Sequence, residues 1–300
     1  MDSSVLPIAA CGIRSYFKTR MGNTVDFAPL SRLYRFTVYS ISRPKTRLRN
    51  GMLIISIDVD VGSKELGLIN KGKNDANVSR DCSEYSIGEI EETALPLFND
   101  VLNHFEIPVT LALRGQLTEV DSGISGLFGC STKHDIGAHG YYHREFSSLS
   151  FAEARRELEM ISVGMKKIGI TPKSFVFPRN KVAHLNLLEQ NGYKCFRGDR
   201  LCMHIAKEGG LYNIYPSLFL RQDVHPRLVM RLIDVSISKR LPFHIWFHLW
   251  NFGRTRESMK RSIERLFFPV FKYSQQKVRS GVLTFETMLS AAEKMDKLPE

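Results

Sequence analysis

Residues 52–60 read MLIISIDVD, an apolar run that ends with two aspartates separated by one valine. A short continuous apolar run of this kind predicts a buried strand. Side chains alternate between the two faces of a strand, so Asp58 and Asp60 lie on the same face. Two like charges so close are costly unless a cation is nearby or one carboxyl shifts its pKa. The pair therefore indicates a metal ligand beside a general base, although by itself it also suits a solvated strand end.

From residue 52 onward, short apolar runs alternate with helical patterns, which is typical of βα units and a mostly parallel sheet. The predicted strands cover residues 52–58, 108–114, 135–138, 174–178, 194–197, 211–215, 243–249 and 281–283. The predicted helices cover residues 87–105, 150–168, 183–191, 226–239 and 284–294. Eight strands suit a barrel. The sequence thus predicts an α/β fold, a distorted (β/α) barrel with seven or eight strands, in one domain over residues 52–296.

The N-terminal part is unlike the rest, and we interpret residues 1–51 as a basic extension. Residues 11–50 carry nine basic side chains against one acid, Asp26. This composition has features of a transit peptide, and an alternative is that Met52 is the native start. The net charge of +11 attracts anionic surfaces. One expected partner is an anionic membrane surface, which the protein would contact peripherally. A second group of basic residues would add to this attraction: Arg254, Arg256, Lys260, Arg261, Arg265 and Lys272. No specific nucleic acid is expected.

Composition limits the remaining classes of protein. The five cysteines are odd in number and form no CxxC pair, which argues against a disulfide framework and thiol-disulfide chemistry and favours reduced thiols. Residues 5–13 are apolar but lack a basic lead-in, so a secretory signal is not expected. No stretch has the roughly 20 apolar residues of a membrane span. These observations predict a cytoplasmic protein.

A second polar cluster lies at residues 134–143, HDIGAHGYYH. His139 and His143 are four residues apart, which on one helical turn after a strand directs both imidazoles to one point. The spacing suits a zinc-type ion with nitrogen ligands at about 2.0–2.1 Å. Alone, the pair also suits ordinary core histidines. Combined with a carboxylate of the first cluster, it makes a three-ligand set that leaves positions for water and substrate, as catalytic metal sites do.

Two later strands end in residues that suit a barrel mouth. Residues 175–180, FVFPRN, place Arg179 where it would hold a carboxylate in bidentate fashion, and a structural turn with an exposed arginine is the alternative. Residues 243–252, FHIWFHLWNF, place His244 and His248 on one face. His248 is nearer the strand end, where barrel enzymes carry out catalysis, so we favour His248 over His244.

Taken in order, these elements resemble the polysaccharide deacetylase (NodB-homology) family over roughly residues 52–290. Three motifs carry the resemblance: the strand with its aspartate pair, the His-x3-His segment IGAHGYYH at residues 136–143, and the late strand that ends in histidine. The resemblance implies a hydrolase that removes an N-acetyl group from an amino sugar of a glycan or glycan precursor. It implies a divalent metal held by Asp60, His139 and His143. Zinc is the expected ion, and cobalt, nickel or iron also suit these donors.

The resemblance also implies roles for three further residues: Asp58 as general base, His248 as general acid, and Arg179 as the residue that orients Asp58. The sequence departs from the family at two places. The usual adjacent Asp-Asp is Asp-Val-Asp here, and the usual Arg-Pro-Pro-Tyr segment is Pro-Arg-Asn at residues 178–180. The altered third motif leaves two alternatives, a carbohydrate-binding barrel without catalysis and a deacylase of another small amide.

Overall fold

The computed structural model describes residues 48–60, 90–119, 133–253 and 255–298. These residues belong to one compact unit that spans Pro44–Glu300. The predicted basic extension over residues 1–51 lies outside the described residues except for its last four, and its nature stays a prediction. Of those four, Leu48 packs into the core beside Met52 and Met288.

One sheet organises the described part of the chain, and β1 (Gly51–Val59) lies at its centre. The strands on one side are β2 (Thr110–Leu113), β3 (Asp135–Ala138), β4 (Ser174–Val176), β5 (Cys195–Arg197), β7 (Leu211–Ile214) and β6 (Ile205–Glu208), in that order. On the other side lie β9 (Pro242–His248) and β8 (Leu218–Phe219), while β10 (Leu283–Glu286) pairs with the first half of β1. Only β6 and β7 pair antiparallel among these strands. The predicted distorted α/β barrel is confirmed.

All eight predicted strands are present, with ends that differ by one or a few residues. Every residue of β1 is buried, because the strand has neighbours on both edges and helices over its face. Two of the ten described strands were not predicted: the short edge strand β8, and β6, which forms a hairpin with β7. The hairpin turns at Gly209, whose φ of +64° lies in the region that glycine adopts without strain.

The helices are α1 (Leu95–His104), α2 (Phe151–Lys167), α3 (Leu185–Gln190), α4 (Pro226–Lys239), α5 (Arg256–Ser262), α6 (Phe268–Arg279) and α7 (Met288–Asp296). The five predicted helices correspond to α1 to α4 and α7. Helices α5 and α6, which are joined by a π-helical turn at Ile263–Phe267, were not predicted. The predicted start of α7 at residue 284 is wrong, because β10 continues to Glu286 alongside β1 and Thr287 caps the helix.

Aromatic packing holds the end of β9 in place. Phe98 of α1 contacts Phe247 of β9 and Phe267, with ring centroids 5.6 and 4.9 Å away. Phe252 joins the same cluster. The strand that ends in His248 is therefore fixed by a rigid layer of buried rings. None of the helices in the described residues combines the length and apolar character needed to cross a membrane.

Candidate metal centre

The centre of the site is the carboxyl end of β1. Asp58 and Asp60 are 2% and 1% exposed, so both carboxylates are shielded from bulk water. The register of the parallel strands places Asp58 directly beside His248 of β9. Because β2 and β3 follow β1 in the sheet, the loop after β3 opens at the same edge. Five predicted site residues thus meet through the order of parallel strands: Asp58, Asp60, His139, His143 and His248.

His139 and His143 lie in the loop after β3, and the predicted helical turn is wrong. Their backbone forms no helix, and left-handed conformations at Gly140 (φ +68°) and His143 (φ +58°) fold the segment back on itself. A side chain at Gly140 would lie 2.9 Å from a ring carbon of Pro178, so only glycine fits there. The tight loop still brings the two Nε2 atoms to 3.1 Å from each other.

The three predicted ligands converge, since one donor atom from each of Asp60, His139 and His143 lies within 4.8 Å of the others. Nε2 of His143 is 3.5 Å from Oδ2 of Asp60. Ligands at about 2.0–2.1 Å from a tetrahedral ion are separated by roughly 3.3–3.4 Å, close to these distances. The arrangement therefore has the dimensions of a tetrahedral site.

Protonation also favours a cation at this point. Nδ1 of His139 lies 2.8 Å from the carbonyl oxygen of Val176, which can only accept, so the ring proton is on Nδ1 and Nε2 presents a lone pair. Burial, followed by the charge of His139, lowers the pKa of His143 to about 3. Burial likewise lowers the pKa of His139. Burial alone would raise the pKa of Asp60, but His248 and His143 hold it well below its usual range. Neutral nitrogens and a carboxylate facing one another fit a divalent metal ion.

Asp58 is held by an arginine from the opposite part of the barrel. Nη1 and Nη2 of Arg197 donate to Oδ1 and Oδ2 of Asp58 at 2.7 and 2.6 Å, and the pair is almost completely buried. Burial by itself would raise the pKa of Asp58, but the guanidinium outweighs it and the pKa lies below its usual value. Asp58 is thus fixed in orientation and kept ionised.

Arg197 was not among the residues predicted from the sequence, where Arg179 was expected to orient Asp58. Arg179 lies half-buried in a short 3₁₀ turn after β4, with φ +57°, and its place in the site stays a prediction. Its neighbour Asn180 does contribute, because its Oδ1 accepts from Nη2 of Arg197 at 3.0 Å. The signal that identifies Arg197 is the same one applied to Arg179: an arginine that closes an apolar barrel strand, here β5.

A buried hydrogen-bond chain continues from Arg197 below the aspartates. Nη1 of Arg197 donates to Oγ of Ser56 at 3.1 Å, and Ser56 contacts Nε2 of His244 at 2.8 Å. Burial lowers the pKa of His244 to about 3, so this imidazole is neutral. It accepts from Ser56 and donates from Nδ1 to the carbonyl of Ile214 at 3.3 Å. His244 therefore belongs to the support of the site, and His248 is the histidine at its opening.

His248 is the most exposed of the converging side chains, at 14%. Its Nε2 lies 3.4 Å from Oδ2 of Asp60 and 3.8 Å from Oδ2 of Asp58. Burial lowers its pKa, but the charge of Asp60 and a hydrogen bond to it outweigh burial, so the pKa of His248 lies above its usual value. Trp250 stacks on the imidazole with ring centroids 4.5 Å apart, and Trp246 covers the guanidinium of Arg197 at 4.4 Å. Both tryptophans thus pack against site residues.

No profile of a known protein family matches the sequence, and no curated protein sequence matches it either. Solved structures do match. A candidate polysaccharide deacetylase from Mycobacterium smegmatis superposes with a TM-score of 0.62 at 15% identity, covering 86% of this chain and 96% of that one. A second from Pseudomonas aeruginosa PAO1 gives a TM-score of 0.56 at 14% identity, covering 81% and 89%.

This chain has the polysaccharide deacetylase fold. The same fold also serves a different enzyme, because PuuE allantoinase superposes with a TM-score of 0.58 at 13% identity, covering 81% of this chain and 89% of that one. The polysaccharide deacetylase fold by itself therefore does not determine the substrate. Function has to be argued from the residues that the fold brings together.

Proposed function

We propose that this protein is a metal-dependent hydrolase that removes the N-acetyl group from an amino sugar of a glycan or glycan precursor. The observation that carries the proposal is the convergence of Asp60, His139 and His143 on one point, within 4.8 Å, beside an ionised Asp58. Three protein ligands with room for others are typical of catalytic rather than structural metal sites.

Asp60, His139 and His143 would hold a divalent ion, and zinc suits one oxygen and two nitrogen donors. When bound, the ion supplies a Lewis acid that polarises a carbonyl oxygen and lowers the pKa of water. The tautomer of His139 is set by Val176, so this ligand needs no rearrangement to bind.

Asp58 is the proposed general base. An attacking water has to lose a proton as it adds to the acetamide carbonyl, and an ionised carboxylate at the centre of the site accepts it. Arg197 holds both oxygens of Asp58, which restricts the carboxylate to one orientation. The base is thus positioned before substrate arrives, which avoids reorganisation during the reaction.

His248 is the proposed general acid. Collapse of the tetrahedral adduct needs a proton on the departing amine, and an imidazolium at the opening of the site is placed to give it. The carboxylate of Asp60 outweighs burial and raises the pKa of His248, which favours the protonated ring that a general acid needs. The products are acetate and a free amino sugar.

The test compares two variants for bound metal and for acetate release from N-acetylglucosamine oligomers. Asp58→Asn should retain metal and lose turnover by about 10²-fold or more, because it removes the base and no ligand. His139→Ala should lose both. His104→Ala, an exposed histidine outside the site, is the matched control and should retain both. Near-normal turnover in Asp58→Asn would remove Asp58 as the base, and full metal content in His139→Ala would remove the metal assignment.

A second candidate function is hydrolysis of another small amide, which the likeness in fold to an allantoinase favours. The same base, acid and metal ligands would serve any amide carbonyl that reaches the site. Release of product from cyclic or linear ureides, with no acetate from amino sugars, would decide for this candidate. A metal-loaded protein without activity on either panel would instead indicate a carbohydrate-binding barrel.

The basic surface and the cellular location remain proposals. Arg256, Lys260, Arg261, Arg265 and Lys272 are exposed on α5, α6 and the turn between them, while Arg254 lies outside the described residues. Such a face suits peripheral contact with anionic lipid at low salt. The described cysteines, Cys195 and Cys202, carry free thiols, and the cytoplasmic location stays a proposal.

A further inference from the structure

Trp250 lies in the short 3₁₀ turn that follows β9, two residues beyond His248. The turn is held at both ends. The backbone N–H of His248 donates to Oδ1 of Asn251 at 3.0 Å. At the other end, Oγ of Ser262 donates to the carbonyl oxygen of Phe252 at 2.6 Å, and the Phe252 ring is buried in the aromatic cluster beside β9. The turn therefore holds Trp250 next to the metal centre.

Two contacts join Trp250 to the site, and they involve residues with different proposed roles. Its indole Nε1 donates to Oδ1 of Asp60, a proposed metal ligand, at 3.4 Å. Its ring stacks on the imidazole of His248, the proposed general acid, with centroids 4.5 Å apart and an angle of 27° between the ring planes. Asp60 follows β1 and His248 ends β9, so one side chain connects residues of two different strands.

The hydrogen bond bears on which oxygen of Asp60 faces the histidines. Oδ1 accepts from Trp250, while Oδ2 lies 3.5 Å from Nε2 of His143 and 3.4 Å from Nε2 of His248. A carboxylate that rotates exchanges its two oxygens, whereas a donor on one oxygen keeps the other in place. Groups that hydrogen-bond to a metal ligand orient it, and their loss typically weakens metal binding roughly 10–100-fold. The indole N–H of Trp250 is such a group.

The stack acts on the direction of the His248 ring. At 14%, His248 is the most exposed of the converging side chains, so it has the most room to turn away. A flat ring against one face of the imidazole opposes that rotation and keeps Nε2 facing Asp60. Trp246 and Phe219 approach the same imidazole edge-on, with centroids 5.7 and 5.9 Å away. Trp250 makes the closest of these three ring contacts.

We propose that Trp250 is a positioning residue with two separate tasks: its N–H orients Asp60 for metal binding, and its ring holds His248 in the direction in which it acts. The inference rests on the proposed function, because it assigns supporting contacts to the ligand and the acid named there. The two tasks lie in different parts of one side chain, so different substitutions remove them. Phenylalanine lacks the N–H and keeps a ring, whereas leucine lacks both.

The first measurement is zinc affinity, obtained by titrating chelator-stripped full-length protein with zinc in the presence of a competing chelator. Trp250→Phe and Trp250→Leu should both bind zinc about tenfold more weakly, because both lack the donor to Asp60. Trp246→Phe is the matched control. Its indole Nε1 is buried and has no hydrogen-bond partner within the described residues, so the same substitution removes an N–H that orients no ligand. We expect its zinc affinity to equal that of the unaltered protein.

The second measurement separates kcat from KM for acetate release from N-acetylglucosamine oligomers at saturating zinc. Trp250→Phe should regain a nearly normal kcat, because phenylalanine keeps a ring against His248. Trp250→Leu should lose about tenfold in kcat with KM unchanged, because the loss of an aromatic pair releases the imidazole. Urea unfolding of the metal-free variants shows whether they fold, and Trp250→Met replaces the leucine variant if that variant does not.

The outcomes separate this inference from the proposed function. Absence of zinc binding or of acetate release in the unaltered protein would remove the proposed function. If the unaltered protein binds zinc, undiminished affinity in Trp250→Phe would overturn the task of the N–H. Equal kcat in the phenylalanine and leucine variants would overturn the task of the ring. A raised KM with normal zinc affinity and normal kcat would show that Trp250 contacts substrate only.

Discussion

The contact between Arg197 and Asp58 makes the sharpest prediction about this protein. The two side chains are 1% and 2% exposed and are joined by two short hydrogen bonds. Replacing Arg197 by methionine leaves a buried carboxylate without its cation. Charges roughly 4 Å apart interact by about 4 kcal/mol at an effective dielectric constant of 20, and removing one partner of a buried pair typically costs 3–5 kcal/mol.

We expect Arg197→Met to lower the free energy of unfolding by an amount in the upper half of that range. Arg197 also bonds to Ser56 and Asn180 and lies under Trp246, and these contacts are lost with it. Adding Asp58→Asn to the variant removes the stranded charge, so the double variant should recover about 2 kcal/mol. A gain in the free energy of unfolding when the second mutation is added indicates that the first mutation left a buried charge unpaired.

Urea unfolding followed by circular dichroism gives these values, with a chelator present so that metal binding does not add to stability. Arg179→Met is the comparison, because sequence analysis gave Arg179 the same task. We expect Arg179→Met to lower the free energy of unfolding by about 1 kcal/mol, and we expect no part of this loss to be regained when Asp58→Asn is added. The reasoning is refuted if Arg197→Met costs less than about 1 kcal/mol, or if the recovery occurs with Arg179→Met instead.

Two further variants test the loop and the base of the barrel. Gly140→Ala should lower the free energy of unfolding by about 1–3 kcal/mol and weaken metal binding measured by titration, because φ is +68° and the added carbon meets Pro178. For Asp135, burial raises the pKa despite hydrogen bonds from Ser174 and Thr110, so the folded state binds the proton more tightly than the unfolded one. The stability that Asp135 contributes is therefore present below its unfolded pKa and is lost as pH rises through the folded value. The melting temperature of Asp135→Asn relative to the unaltered protein should rise between pH 4 and pH 8, and an unchanged difference would contradict an elevated pKa.

Most of the strands and the convergence of the polar residues could be predicted because each depends on features local in the chain. Asp58 and Asp60 share a face through the two-residue period of β1, and His139 and His143 are only four residues apart. Parallel βα units bring the ends of β1, β3 and β9 to one edge without further information. The geometry of the histidine loop was predicted wrongly, since a helical turn and a left-handed loop both place residues four apart close together.

The helices α5 and α6 and the strands β6 and β8 were missed for a related reason. A π-helical turn at Ile263–Phe267 lies between α5 and α6 and interrupts the regular helical period. The apolar residues after this turn are therefore out of phase with those before it. Strand β8 has two residues, too few for alternation to be visible. Local patterns identify long regular elements and fail where the element is short or its period changes.

Strand alternation and short spacings act between neighbours in the chain, so they were enough to predict the barrel, the strand that carries both aspartates and the residues able to hold a metal. The contact between Arg197 and Asp58 became visible in the three-dimensional fold alone, since the two residues lie 139 positions apart and β5 is separated from β1 by three intervening strands. Arg179 and Arg197 both close apolar strands, and nothing local distinguishes them. The curvature of the sheet, which directs the Arg197 side chain across the barrel interior, makes that choice.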